Sequence, residues 1–181
     1  MCTSSKQRMF IRLDFPLKND CHLNRRKSIV KLFSRSLEMQ EVWYPEDLAD
    51  MVNQFKICAT AKILVHEMFP TVDAGIVMDT DIVVMDDIAN LWNHFNKFDS
   101  SQMAALAPVE SHYSNVHSFP YHGPIGMGLN AGVILMNMTR MRMMVGGGFT
   151  ESIRFVWRRF AGKLHLAEQD VLNIIFATSP R

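Results

Sequence analysis

The sequence predicts an α/β fold with a mixed, mostly parallel sheet, and two observations carry that expectation. Apolar runs of strand length alternate with stretches whose apolar residues recur at helical spacing. The sharpest run, Ala74-Gly75-Ile76-Val77-Met78, ends in a polar triplet, Asp79-Thr80-Asp81. A strand apolar throughout suits burial on both faces, and its polar residues then fall at the C-terminal edge, where open α/β sheets bind ligands. A chain of 181 residues, 48% hydrophobic and 20% charged, is long enough to bury one sizeable core.

Met1 to Leu23 shows no period, and residues 1–43 form a poorly defined N-terminal segment, whereas residues 44–181 read as one core. Within the first part, Asn24 to Leu37 places Ile29, Leu32, Phe33 and Leu37 near helical spacing, which suits a short amphipathic helix. Pro45-Glu46-Asp47 supplies an N-terminal proline and first-turn acids, and Leu48, Met51, Val52, Phe55, Ala59 and Ile63 follow on one face. That pattern predicts a helix of several turns ending before Pro70. After the strand at 74–78, a helix is expected from Asp86, with Ile88, Leu91, Trp92 and Phe95 on its buried side. Met103 to Ala107 reads as a strand closed by Pro108, and Asn130 to Asn137 as a third. Between them, Glu110 to Gly128 is an irregular segment of the length that usually borders a site. Phe149 to Phe160 reads as a helix and Asp170 to Phe176 as the start of a last one.

Lysine and arginine (19) nearly balance aspartate and glutamate (18), so no long-range field draws nucleic acid or an anionic membrane. No nucleic-acid partner is expected, and an anionic ligand must be held locally. The Arg25-Arg26-Lys27 cluster reads as a solvated helix start. Cys2, Cys21 and Cys58 are too few and too scattered for a disulfide scaffold or a cysteine-rich zinc site. The longest apolar stretches are strand-sized, well short of the roughly 18 to 20 residues that span a bilayer, so no membrane segment is expected in this chain. Met1 to Phe10 lacks the apolar region of a secretory signal.

Two carboxylates at a strand end, Asp79 and Asp81, can hold a divalent cation against a diphosphate, and their hard oxygens suit Mn²⁺ or Mg²⁺. Eleven aspartates in 181 residues make roughly one Asp-x-Asp a chance event, so the apolar strand before and the helix after must carry the assignment. The plain alternative makes both acids surface caps of the following helix. A second chemical alternative is a phosphohydrolase of the haloacid-dehalogenase type, with Asp79 as nucleophile, Asp81 as general acid, and Thr139, Lys163 and Asp170 as later motifs. Spacing alone leaves all three open.

Several blocks, in order, resemble glycosyltransferase family 8, and within it the glucoside xylosyltransferases, over about Tyr44 to Pro180. They are Phe55-Lys56-Ile57-Cys58-Ala59, Met78-Asp79-Thr80-Asp81, Asp86-Asp87-Ile88 to Trp92, Gln102 to Pro108, Leu129-Asn130-Ala131-Gly132-Val133, Met136 to Arg142, and Gln169-Asp170-Val171-Leu172-Asn173. Agreement of many ordered blocks is far more specific than any one motif.

The resemblance implies a GT-A-like, Rossmann-like nucleotide-diphospho-sugar transferase core and a retaining, Mn²⁺-dependent transfer. It implies UDP-xylose as donor and O-linked glucose on EGF-like repeats of a glycoprotein as acceptor. By resemblance the protein belongs in the Golgi or endoplasmic reticulum lumen as a type II membrane protein. Carried over by position, Asp79 and Asp81 hold the metal. The donor is contacted by Lys62, Asp79, Thr80, Asp81, Asn130, Ala131 and Gly132, with Lys62 standing where the family usually has an arginine. Asn130 corresponds to the residue facing the donor sugar, an ordinary turn asparagine being the plain alternative. Glu168 and Gln169 match the pair beside the reacting anomeric carbon, with Glu168 one methylene longer than the usual aspartate.

The resemblance also implies an opening strand that cradles the uridine and a later histidine-glycine segment that completes the metal site. The 181 residues show neither, so an incomplete core with weak or no turnover is expected, and a non-catalytic UDP-sugar-binding fragment is the remaining alternative. The Asn137-Met138-Thr139 sequon sits at a strand end and is expected to be unoccupied. His112, His117 and His122 match no common zinc spacing and read as loop histidines.

Overall fold

The computed structural model describes residues 8–10, 39–109 and 128–178. The helix expected at 24–37, the Arg25-Arg26-Lys27 cluster, Cys2, Cys21, and the segment bearing His112, His117 and His122 lie outside them. The chain divides into two compact units, Met1–Val42 and Trp43–Arg181. In the first, strand β1 (Arg8–Phe10) pairs antiparallel with β2 (Met39–Glu41), placing Met9 opposite Gln40. No strand was expected in that part of the chain.

In the second unit the long helix expected from Pro45 is broken. A 3-10 turn (Glu46–Leu48) leads into α1 (Ala49–Phe55), then α2 (Ile57–Ile63) and α3 (Val65–Met68). The break falls at Lys56, whose φ of 71° and ψ of 155° cannot continue a helix. The apolar stripe survives it, since Leu48, Met51, Val52 and Ile63 are all buried. Arg142 gathers the chain where α3 ends: its guanidinium donates to the carbonyls of His66 (2.9 Å), Phe69 (3.3 Å) and Val72 (2.9 Å). Carbonyls left open at a helix C-terminus are thereby met by a positive charge.

Strand β3 (Ala74–Met78) follows, with Gly75, Ile76 and Val77 buried. At Gly75 the Met138 methyl packs close to the backbone, 2.8 Å from where a Cβ would stand. After β3 comes α4 (Ile88–Trp92), capped by the Asp87 carboxylate, which accepts from Ala89 N at 2.9 Å. Its apolar residues Ile88, Leu91 and Trp92, with Phe95 beyond, are only half-buried, contrary to the buried face expected. Strand β4 (Ala104–Val109) runs through Pro108 rather than closing at it, and β5 (Gly128–Asn137) is the longest strand. Beyond β5 lie α5 (Met138–Met143), α6 (Phe149–Phe160) and α7 (Glu168–Thr178). No helix among the described residues is long and apolar enough to cross a membrane.

The sheet of this unit has the order β3-β5-β4, and β5 runs antiparallel to both neighbours. This corrects the mostly parallel sheet expected. The two strands that do run the same way, β3 and β4, never touch, because β5 returns between them. A continuous apolar strand reports burial on both faces, and covering both faces with helices does that whatever the strand direction. Pro108 is tolerated because β4 is an edge strand, where a missing N–H costs no ladder bond.

Helix α7 is the centre of the unit. Seven consecutive residues, Gln169 to Ile175, are buried, so the helix is enclosed on every side. By contrast α6 is amphipathic: Phe149, Ile153 and Val156 are buried, while Phe155, Arg158 and Arg159 are exposed.

Candidate functional site

The site forms where β3 ends and the pairing of β5 breaks. Met78 is the last paired residue of β3, opposite Val133, and one further bond follows, Asp79 N to Gly132 O at 2.8 Å. On the other edge of β5, Ala107 pairs with Asn130 but Leu106 with Ile134, so Ala131, Gly132 and Val133 are passed over in a single step of β4. A break of this kind frees backbone groups that must be satisfied otherwise.

Side chains from three elements satisfy them. The Ala131 N–H donates to Gln169 Oε1 of α7 at 3.1 Å, and its carbonyl accepts from Lys62 Nζ of α2 at 3.2 Å. The Gly132 N–H donates to Asn130 Oδ1 at 2.8 Å. A Cβ at Gly132 would lie 2.9 Å from Asn130 Oδ1 and 3.6 Å from Asp79 Oδ2, so a side chain here would press on the Asn130 amide. Lys62 Nζ also lies 2.6 Å from Asp79 Oδ1 and 2.5 Å from Glu168 Oε1. Burial alone would lower the Lys62 pKa, but its bonds to Asp79 and Glu168 outweigh that and hold it above the usual lysine value.

Lys62, Asp79, Asn130, Ala131, Gly132, Glu168 and Gln169 are therefore brought together around one kink of β5. Thr80 and Asp81 occupy the turn that follows β3, and both are exposed. No described contact joins Asp81 to the cluster. Beside that turn lies a groove of about 330 Å³ lined by Met78, Ile82, Val83, Leu91, His94 and Val133 among others. Its lining includes none of Lys62, Asp79, Asp81 or Gln169, so it is separate from the polar cluster.

Among the described residues no group of three or more His, Cys, Asp or Glu side chains could hold a metal. Asp79 and Asp81 offer the hard carboxylate oxygens that a divalent ion takes, one in the cluster and one in the exposed turn after β3. The donors are carboxylate oxygens, and Asp79 Oδ1 already faces a cation, the Lys62 ammonium.

Several polar residues have other duties. Asp170 Oδ2 accepts from the N–H groups of His165 and Leu166, each at 2.7 Å, and so closes the turn before α7. Thr139 donates to Asp73 at 2.8 Å. Thr139 and Asp170, two of the residues recruited for a phosphohydrolase site, are thus engaged in structural hydrogen bonds. Asn137 caps α5, accepting from Arg140 N at 3.0 Å, so the sequon asparagine has a structural task.

Sequence reasoning missed Asn173, which is fully buried and bonds both backbone groups of Leu129. The signal was there, since Gln169 and Asn173 are carboxamides one helical turn apart, with apolar residues at 171, 172 and 174 to 176.

A family model described as glycosyl transferase family 8 matches residues 5–179. The chain is 31% identical over 167 residues to mouse glucoside xylosyltransferase 1, a match covering 84% of this chain and 40% of that protein. Human glucoside xylosyltransferase 1 is 31% identical over 148 residues, covering 75% of this chain and 33% of the relative. The chain thus spans less than half the length of these relatives. Among solved structures, mouse xyloside xylosyltransferase 1 in its apo form is 20% identical, with a TM-score of 0.55 over 72% of this chain and 55% of that one. At that identity the likeness speaks for the fold, and it supports the α/β, GT-A-like class.

Proposed function

The chain belongs to glycosyl transferase family 8, and from that premise we propose that it is a retaining glycosyltransferase moving xylose from UDP-xylose onto O-linked glucose of a glycoprotein, in EGF-like repeats. The observation that carries the reading is the Lys62 ammonium seated between Asp79 and Glu168, on the carbonyl of Ala131 next to Gly132. A fixed positive charge beside a strand-end carboxylate supports a site for an anionic diphosphate and its counter-ion.

In this reading Asp79 and Asp81 hold Mn²⁺ or Mg²⁺, with Thr80 between them against the nucleotide. The metal, when bound, would offset the charge that builds on the departing diphosphate. Lys62 adds a fixed positive charge on the donor side, and as a point charge it orients less than an arginine fork would. Asn130 faces the donor sugar, its Oδ1 already oriented by Gly132 N, and Ala131 and Gly132 give backbone close to it. Gln169 and Glu168 shape the space around the reacting carbon, and rigid placement there converts binding into rate. The names of the relatives support xylose as the sugar moved and a glucoside as acceptor. A glycoprotein acceptor of this kind places the reaction in the endoplasmic reticulum or Golgi lumen.

The test is calorimetry of UDP binding with and without Mn²⁺, on the wild-type chain and on Asp81→Asn, followed by UDP release from UDP-xylose with a glucosylated acceptor. Metal-dependent UDP binding that Asp81→Asn abolishes is the expected result. Binding unchanged by that substitution would overturn the metal assignment.

A further inference from the structure

We propose that Asn173 is a positioning residue for the donor-sugar end of the site, acting through the backbone on either side of Asn130. The proposal rests on the reading of Asn130 as the residue that faces the donor sugar.

Leu129 stands opposite Pro108 in the β4–β5 pairing. Proline has no N–H to give, and the N–H and carbonyl of Leu129 turn away from β4. On that side β3 offers nothing, since its pairing with β5 ends at Met78 and Val133. Asn173 takes the place of a strand. Its Oδ1 accepts from Leu129 N at 2.8 Å and its Nδ2 donates to Leu129 O at 2.9 Å. The same Nδ2 donates to Gln169 O at 2.8 Å. A carboxamide carries one acceptor and two N–H bonds on one plane, so it reproduces the pairing of a neighbouring peptide group.

One helical turn earlier, Gln169 Oε1 receives the Ala131 N–H. Residues 129 and 131 are therefore both pinned to α7 by carboxamides spaced i and i+4, and Asn130 is the residue between them. Its side chain is held in turn by the Gly132 N–H. Rotation of the 129–131 backbone would swing the Asn130 amide, and it is opposed by the three carboxamide hydrogen bonds to α7 and by the Lys62 bond to the Ala131 carbonyl. Because Asn173 is wholly buried, removing its amide leaves Leu129 groups unpaired, and they can recover only by shifting the strand. Aspartate in its place would keep the acceptor but set a charge against two carbonyls.

A purely structural Asn173 and a positioning Asn173 differ in one respect. The first lowers stability and affects every ligand alike, whereas the second acts on the sugar through Asn130 and spares the nucleotide. The experiment measures UDP and UDP-xylose binding in Mn²⁺ by calorimetry for wild type, Asn173→Ser, Asn130→Ala and the double variant. We expect Asn173→Ser to weaken UDP-xylose by about tenfold more than UDP, the scale of one well-placed hydrogen bond. We expect that extra loss to vanish in the Asn130→Ala background, and the Leu129 amide of Asn173→Ser to exchange with solvent faster than in wild type. Parallel losses for both ligands, or an effect that persists without the Asn130 side chain, would overturn the inference while leaving the donor reading intact. A wild-type chain that binds UDP-xylose no differently from UDP would overturn the donor reading itself. Should Asn173→Ser fail to fold, Asn173→Gln, which keeps the amide one methylene out of place, reads the same split.

Discussion

An ammonium removed from water is costly unless its charge is met, and the Lys62 side chain, 9% exposed, meets two carboxylates and a carbonyl. Of these partners Glu168 is the more buried, at 11% against 39% for Asp79, so it depends more on Lys62. Replacing Lys62 by methionine keeps the apolar stem and removes the charge. The variant should lose about 3 kcal/mol of stability, because a nearly buried carboxylate is left without a counter-ion. Converting Glu168 to glutamine in the same chain should restore much of that loss. Urea unfolding of the two variants decides it, and a double variant no more stable than Lys62→Met would show that Glu168 does not depend on the ammonium. The sequence made Lys62, Asp79 and Glu168 candidates singly, but nothing in their spacing said that one cation would join the other two. That link needs α2, β3 and α7 to meet, which is tertiary information.

At the scale of elements, apolar periodicity located most of the helices and strands, because burial imposes it directly. What it could not show was a backbone break with no change of face. Lys56 divides one amphipathic stripe into two helices while its side chain stays exposed. Its φ of 71° and ψ of 155° fall in a region that glycine alone enters without strain. Lys56→Gly should therefore stabilise the protein by about 1 kcal/mol, the relief of strain exceeding the added freedom of the unfolded chain. Thermal unfolding would show a raised midpoint, and a lowered one would mean that the Lys56 contact with the Asn53 carbonyl matters more than the backbone. Strand direction was hidden for a similar reason. Both faces of β3 are covered whichever way β5 runs, so its apolar sequence carries no mark of the antiparallel pairing.

For the molecule as a whole, the second unit is tied together at a buried histidine. His66 of α3 lies edge-on to Phe149 of α6 with ring centres 5.6 Å apart, and its carbonyl accepts from Arg142 of α5. The hydrogen inventory fixes its state. Thr150 has one hydroxyl hydrogen, which it gives to Glu67 at 2.7 Å, so the His66 Nε2, 3.0 Å from the same hydroxyl, must be the donor in that pair. The neutral ring then carries no hydrogen on Nδ1, and Nδ1 has no hydrogen-bond partner. Adding a proton would place a charge in the core. Burial accordingly lowers the His66 pKa to about 4 from 6.5, against the nearby Glu67 carboxylate, with Arg142 adding to the effect of burial and the Ile63 carbonyl opposing it. The sign of the consequence follows. Below the unfolded value of about 6.5 the unfolded chain binds a proton that the folded chain refuses, so stability falls as pH drops from 6.5 towards 4 and levels off below. Over that window the loss from this one residue should be on the order of 3 kcal/mol. Carboxylates elsewhere also titrate there, so the measurement is a difference: urea unfolding of wild type and His66→Gln from pH 7.5 to 4. The advantage of wild type over the variant should shrink steadily across that range. A difference that stays constant would mean that His66 is charged or solvated in the folded protein, and that the junction of α3, α5 and α6 is looser than its contacts indicate.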